Sequence, residues 1–488
     1  MSAARKTVRV QRTGPLLLPD RTRLLLRPFR PESDHAVRRI VERVMALSED
    51  EVGRTLKNVL GQFSGRHEQM DAFLRRRFED VRGYLAPGPT PSPERQRLIA
   101  ACFTQEYAFE AAALLNPSIV AHPDQTGLPP GALRFVLSLR AIGEGHISSI
   151  TFRTGLISPQ QRISLLPPEP FVSELERIPN ATYERALFSR KLAELGLLND
   201  FAQRAMDPLP DAFTISDLRG TVAAASQDRS RLDAEADRTA RVMLLLAESN
   251  YEVRFPAEQR MSQRVLFPTA PSESNGIEDA RFVRFQNDDG TITYYATYTA
   301  YDGRIILPQL IETADFNHFR FSTLNGPAVR NKGLALFPRK VNGRYAMLSR
   351  QDDERLFLMY SDHPHFWYEA QPLLEPREPW ELVKIGNCGS PLETEAGWLV
   401  LTHGVGPMRK YCVGACLLDL HDPGRVVGRL RQPLLEPNEL EREGYVPNVV
   451  YTCGALLHEG VLILPYAMSD AATSFATVPL ADVLEAME

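Results

Sequence analysis

The chain has 488 residues, 43% of them hydrophobic and 24% charged, and a formal net charge of -5. That length accommodates one large domain with additions or two to three ordinary ones, and the acidic balance gives no global electrostatic support to a nucleic-acid or anionic-membrane partner. No stretch approaches the ~20 consecutive apolar residues of a spanning helix, and the basic start (1–12) lacks the apolar segment and cleavage site of a secretory signal, so the expected location is cytoplasmic.

In chain order, residues 1–30 read as an N-terminal segment in which Leu24-Leu25-Leu26-Arg27-Pro28-Phe29 forms a strand. Residues 31–130 read as helical: 34–47 and 68–84 place apolar residues at three- and four-residue spacings, as in Met70, Phe73, Leu74 and Phe78. Residues 131–165 turn to strand texture, with runs at 134–141 and 147–154. Helical texture returns over 166–250, in 183–206 and 215–246, where Asp217 falls early enough to suit the positive end of a helix dipole. The adjacent Leu244, Leu245 and Leu246 are compatible with capping a site, with reading oligosaccharide length or with a homo-oligomer contact. From 251 to 488 short β-rich runs recur between Gly, Asp and Pro turns, the pattern of an all-β repeat architecture. Gln371-Pro372-Leu373-Leu374-Glu375-Pro376 returns as Gln432-Pro433-Leu434-Leu435-Glu436-Pro437, a spacing that suits a four-stranded propeller blade with long loops.

The five cysteines, Cys102, Cys388, Cys412, Cys416 and Cys453, are odd in number and form no Cys-x-x-Cys pair, so neither a disulfide framework nor a zinc site is expected. Cys412 and Cys416 fall in an apolar strand pattern and read as small packing residues.

The densest cluster of reactive side chains is Ser274-Asn275-Gly276-Ile277-Glu278-Asp279-Ala280-Arg281. In a regular strand successive side chains face opposite ways, so Asp279 and Arg281 share a face and Glu278 points away. On spacing alone the plainer reading is a solvated turn closing a hairpin. The segment resembles the Gly-x-Glu-Asp-Pro-Arg signature of glycoside hydrolase family 130, with Ala280 where Pro is usual. Three further segments match that family in order: Tyr295-Ala296-Thr297-Tyr298-Thr299-Ala300-Tyr301-Asp302-Gly303; Leu334-Ala335-Leu336-Phe337-Pro338-Arg339-Lys340-Val341-Asn342-Gly343; and Lys384-Ile385-Gly386, running to Gly397-Trp398-Leu399 and His403-Gly404-Val405.

The resemblance implies an all-β five-bladed β-propeller with substantial α-helical N-terminal insertions. Its blades are expected near 132–158, 276–314, 317–376, 381–437 and 440–480, with the 24–29 strand completing the last. It also implies an inverting β-mannoside phosphorylase that converts β-1,2- or β-1,4-manno-oligosaccharides to α-mannose 1-phosphate, needing inorganic phosphate as co-substrate and no metal or organic cofactor. Such a reaction requires one acid for the leaving oxygen and cations for the attacking anion. By resemblance Asp279 is the general acid, with a pKa expected to be raised by burial and by bound phosphate. Lys332, Arg350, Lys384 and His403 match the phosphate set, Lys332 standing where Arg is more usual. Arg140, Arg281, Tyr298, Asp302, Tyr466 and Asp470 are the expected sugar contacts. Two alternatives stand beside this reading. One is an inverting β-mannosidase using water, with Glu278, Glu393 or Glu395 as base; the other is a noncatalytic carbohydrate-binding propeller.

Overall fold

Two helical units and a series of antiparallel sheets divide the chain in the computed structural model, which describes residues 8–173, 175–178, 181–227, 234–304 and 306–487. Residues 1–7 of the basic start, and 228–233 within the expected 215–246 helix, lie outside the described residues.

The first helical unit comprises Asp34–Met45, Glu49–Phe63, Met70–Val81 and Pro93–Cys102. Its helix starts are written locally. Ser33 accepts from the Ala36 N–H at 3.2 Å, Ser48 and Glu51 form a reciprocal capping box, and Ser92 caps a helix that begins with Pro93; each such cap is worth ~1 kcal/mol. Val37, Val41, Leu74, Phe78 and Leu98 form a core of its own. The second unit packs Phe188, Phe201, Phe213, Leu218 and Met243 into another core. The single helix expected over 183–206 is two, Arg185–Glu194 and Asp200–Met206. Gly196 ends the first with a left-handed φ of 66° while the Leu197 N–H returns to the Leu192 carbonyl. Thr214 and Asp217 exchange hydrogen bonds at the start of Ile215–Gln227, so Asp217 caps that helix as well as facing its dipole.

The remaining chain is mostly antiparallel sheet. An eleven-stranded sheet consists of two antiparallel halves joined by one parallel contact, Gly276 beside Ser148. The first half runs Ala113–Ala121, Leu133–Ile142, Ser148–Ile157. The second runs Gly276–Gln286, Ile292–Tyr301, Ile306–Thr313, His318–Thr323, then Tyr251–Arg254. A third sheet orders Ala335–Leu336, Tyr345–Ser349, Leu356–Ser361 and Gln371–Leu374. The fourth orders Lys384–Asn387, Gly397–Val405, Tyr411–Leu418 and Val426–Arg429; the fifth orders Val450–Tyr451, Val461–Met468, Ala472–Pro479 and Gln11–Leu17. Apolar side chains from neighbouring sheets interlock, as where Leu399, Leu401 and Val413 of the fourth meet Leu462, Leu464 and Ala476 of the fifth.

Two expectations are corrected. The strand that completes the fifth sheet is Gln11–Leu17, whereas Leu24–Pro28 pairs with Thr104–Ala108 beside the first helical unit. Ionic anchors explain the choice. Arg12 binds Glu441 of the fifth sheet's approach at 2.8 Å, while buried Arg23 binds Glu110 at 2.9 Å, which also holds Arg153. The stretch 31–130 is not wholly helical, since Ala113–Ala121 is the strand that opens the first sheet. It is buried along nearly its whole length, so it lacks the alternation that marks a half-exposed strand.

The repeated Gln-Pro-Leu-Leu-Glu-Pro strings differ in structure. The first is a strand, and the second makes only the isolated bridge between Leu435 and Val413. Each leads into a short 3₁₀ turn ending in a buried glutamate, Glu381 or Glu441, that receives backbone N–H groups from the residues just before it. Glu273 does the same ahead of Gly276–Gln286, and its carboxylate also takes the Tyr251 and Tyr298 hydroxyls. The five cysteines are free thiols, and Cys388, Cys412, Cys416 and Cys453 are buried. Among the described residues no helix is long and apolar enough to cross a membrane.

Candidate active site

Asp279 departs from regular strand geometry. Its φ is 56°, and the pairing of Gly276–Gln286 with Ile292–Tyr301 shifts between Glu278 and Arg281, so a β-bulge sits at Asp279 and Ala280. The bulge overturns the expected alternation. Glu278 and Asp279 both face Arg140, which donates to Glu278 at 2.6 Å and to Asp279 at 3.3 Å. Arg281 does not reach the Asp279 carboxylate; it donates to the Asp279 carbonyl at 2.9 Å, to the Cys388 carbonyl and to the Tyr451 hydroxyl at 2.9 Å. Asn116 donates to the Asp279 carboxylate at 2.6 Å from a second bulge, with its own left-handed φ of 49°.

The charge state of Asp279 is also the reverse of expectation. Burial pushes its carboxyl up, but Arg140, Arg281 and Lys332, with the Asn116 hydrogen bond, outweigh it and hold the pKa at about 2. Burial disfavours the Arg140 charge as well, and the carboxylates of Asp279, Glu278 and Asp470 more than compensate, raising it. Asp470 behaves oppositely to Asp279: burial and the Asp279 charge raise its pKa against Arg140 and Arg409.

Beside this carboxylate lies a cationic group. Lys332 stands 3.6 Å from Glu278, and its carbonyl accepts from Arg350 Nε at 3.0 Å. Arg350 and His403 converge on Gly386, two residues after Lys384 on the strand Lys384–Asn387. A β-carbon there would meet the His403 ring at 2.5 Å and the Arg350 chain at 2.9 Å, so only glycine lets the two approach. Burial, with Arg350, Arg281 and Lys384, holds the His403 imidazole well below its ordinary pKa, so it is neutral at pH 7. Its Nδ1 lies 3.2 Å from the Asn387 carbonyl, which can only accept, so Nδ1 carries the proton and Nε2 is left as an acceptor. Tyr451 joins the two groups, lying edge-on to His403 at 5.2 Å while binding Arg281.

The expected residues therefore divide. Asp279, Arg140, Arg281, Lys332, Arg350, Lys384, His403 and Asp470 gather at one end of the sheets. Arg140 and Asp470 also line a cleft of about 180 Å³ whose rim carries His146 stacked on exposed Tyr445. Tyr298 and Tyr466 do not join them. Tyr298 lies opposite the bulge and turns into the core, its hydroxyl on Glu273 at 2.6 Å. Tyr466 packs between the fourth and fifth sheets with its hydroxyl on Glu441 at 2.6 Å. Asp302 occupies the turn after Ile292–Tyr301, where it accepts from the Arg304 N–H at 2.8 Å. Of the carboxylates considered as a hydrolytic base, Glu278 is held between Arg140 and Lys332, Glu393 pairs with Arg339, and Glu395 is exposed in a hairpin.

Asn116, Tyr451 and Asn387 were not anticipated. Asn387 is fully buried, with neither side-chain polar atom partnered. A signal for two of them exists: Glu110 and Asn116, Glu273 and Asp279, and Glu381 and Asn387 share one spacing, each glutamate buried just ahead of an inner strand. Among the described residues no group of His, Cys, Asp and Glu side chains is arranged to hold a metal ion.

An ionised acid beside a partly buried cationic group, at the shared end of several β-sheets, suits a protein that brings an anion against a polar reactant. The chain belongs to glycoside hydrolase family 130, whose model, described as beta-1,4-mannooligosaccharide phosphorylase, matches residues 232–488. A 1,2-beta-oligomannan phosphorylase of Thermoanaerobacter sp. (strain X514) is 34% identical over 233 residues, 46% of this chain and 75% of that protein. A beta-1,4-mannooligosaccharide phosphorylase of Ruminococcus albus is 34% identical over 185 residues, 36% of this chain and 55% of that protein. Among solved structures, a beta-1,2-mannobiose phosphorylase from Listeria innocua in complex with beta-1,2-mannobiose superposes with a TM-score of 0.46 at 19% identity, covering 77% of this chain and 92% of that one.

Proposed function

We propose that this chain is an inverting β-mannoside phosphorylase, transferring mannose from a β-1,2- or β-1,4-manno-oligosaccharide to inorganic phosphate and releasing α-mannose 1-phosphate with a shortened sugar. The observation that carries this reading is the convergence of Arg350 and neutral His403 on Gly386, with the Lys384 charge acting on His403 and Lys332 linking the group to Asp279. A hydrolase would have no use for such a group, and water activation would need a carboxylate free to act as base. The fold is proposed to be a five-bladed β-propeller closed by Gln11–Leu17. In support, an opening of about 350 Å³ at the Gln286 end of Gly276–Gln286 is lined from each of the five antiparallel groups, by Ile119, Val283, Pro338, Leu392 and Leu456 among others.

In the proposed reaction monohydrogen phosphate enters against Lys332, Arg350 and Lys384, with its own P–OH donating to His403 Nε2. Its negative charge offsets the cations that hold Asp279 ionised, so the carboxyl's pKa climbs as phosphate binds and Asp279 takes up a proton. Asp279 then delivers that proton to the glycosidic oxygen, directly or through a mannosyl hydroxyl, while a phosphate oxygen attacks C1 from the opposite face. The C1–O bond to the departing sugar breaks as the C1–O bond to phosphate forms. The proton on incoming phosphate is released as mannose 1-phosphate leaves as the dianion, which balances the one carried off by the departing sugar. Arg140 keeps Glu278 and Asp279 in place, and Asp470 meets mannosyl hydroxyls.

The test is incubation with β-1,2- and β-1,4-mannobiose, with and without inorganic phosphate, followed by NMR. Phosphate-dependent formation of the α-anomer of mannose 1-phosphate is expected. Free mannose released at equal rate without phosphate would refute the reading.

A further inference from the structure

The second helical unit meets the second half of the eleven-stranded sheet and the third sheet along a seam that takes no part in the site above. The seam holds a cleft of about 130 Å³, with Tyr183, Phe188 and Lys191 on the helical side and Phe321, Asn325 and Phe366 on the sheet side. The wall carrying Lys191 lies outside the residues matched by the family model.

Charge and polarity in the cleft are left incompletely matched. The Lys191 side chain is 14% exposed, and the carboxylate paired with it, Glu194, lies 3.9 Å away. Glu194 is already engaged, accepting the Gly326 N–H at 2.8 Å and the Tyr368 hydroxyl at 2.7 Å. Burial pulls the Lys191 ammonium below its ordinary pKa against the weak pull of Glu194. Of the other lining carboxylates, Glu252 is held by His318 at 2.7 Å and Arg320 at 3.2 Å, and Glu184 is exposed. On the opposite wall Asn325, 7% exposed, has no partner for its Oδ1, and His365 has none for its Nδ1. A buried ammonium without a short ion pair favours an anion. Tyr183 is the partly exposed aromatic of the lining, since Phe188, Phe321 and Phe366 are buried, and the small volume favours a compact occupant.

We propose that this cleft is a second ligand site, for a small organic anion whose carboxylate or phosphate meets Lys191 while its compact body fills the cleft. Glu194 ties the same helix to Gly326, at the start of the segment that ends at Lys332, so an occupant would touch the candidate active site only through that segment.

Hydrogen–deuterium exchange on the full chain tests this, with glucuronate and mannose 6-phosphate as probes and mannose as the neutral control. At about 5 mM ligand and a Kd of ~1 mM, exchange in peptides spanning 182–194 and 320–326 is expected to slow about sixfold. The effect is expected with either anion, not with mannose, and should be lost in Lys191→Gln and kept in Lys191→Arg. Unchanged exchange at the seam with both anions overturns the proposal. So does protection that mannose gives equally or that persists in Lys191→Gln. Protection confined to peptides around 332–350 and 384–403 would be binding at the candidate active site, and with the seam unchanged it counts against the proposal.

Discussion

Replacing Asn116 by glycine isolates one hydrogen bond to the proposed acid. Asn116 donates to Asp279 at 2.6 Å, and its φ of 49° is one that glycine adopts without penalty, so the substitution removes the donor without straining the bulge. A hydrogen bond to an ionised group contributes about 1.5–3 kcal/mol. At about 1.4 kcal/mol per factor of ten, kcat/KM for phosphorolysis should fall by about ten- to a hundredfold if the bond positions the reacting carboxyl. The bond also favours the charged form, so its loss should raise the Asp279 pKa from about 2, less than loss of Arg140 would, since Arg140 opposes protonation more strongly. The assay is release of α-mannose 1-phosphate across pH, with thermal unfolding measured in parallel. A kcat/KM within about twofold of the parent, in a protein that unfolds at the same temperature, would show that the Asn116 contact has no part in the reaction.

Asp279→Asn should lower kcat by about 10²–10⁴, read by the same product assay, and should also lower the unfolding temperature at neutral pH, since a carboxylate with a depressed pKa stabilises the fold there. Arg350→Met should raise the KM for phosphate by about tenfold or more while leaving that for mannobiose within a few-fold, as expected for loss of a charge-assisted contact of ~2 kcal/mol; equal effects on both would remove it from the phosphate set. Tyr298→Phe should cost about 1–3 kcal/mol of stability through its hydrogen bond to Glu273 and leave mannobiose KM unchanged; a raised KM would restore it to the sugar site. In Glu441, burial raises the carboxyl but Arg12 and Tyr466 prevail and depress it. Its stabilising contribution is therefore present above the ordinary 4.5 and lost as pH falls through the depressed value. Because Arg12 is about a third exposed, Arg12→Gln should cost ~1 kcal/mol or less at neutral pH. The difference in unfolding temperature between parent and variant should shrink in acid, and a difference that grew there would contradict the sign.

Local patterning separated the helical stretches from the strand-rich remainder, because the spacing of Met70, Phe73, Leu74 and Phe78 is decided by neighbours within a turn or two. The ordered motifs around Asp279, Arg350, Lys384 and His403 carried the family to which the chain belongs. The convergence of Arg350 and His403 on Gly386 was not legible, since it depends on strands from two different sheets approaching side by side. Nor was the identity of the closing strand: Gln11–Leu17 and Leu24–Pro28 both suit an edge, and the choice rests on Arg12 reaching Glu441 and Arg23 reaching Glu110, contacts far apart along the chain.

Tertiary structure also decided which way the reactive side chains face and how they are charged. A period-two rule placed Glu278 and Asp279 on opposite faces, and one extra residue at the bulge put both on Arg140. Burial alone would have raised the Asp279 pKa, but Arg140 from another strand, Lys332 from a loop and Arg281 two residues along the same strand reverse that outcome. Residue types and their local spacing follow from the covalent order of the chain. A pKa or a face at a bulge is a sum over distant neighbours, and only the folded arrangement specifies which neighbours those are.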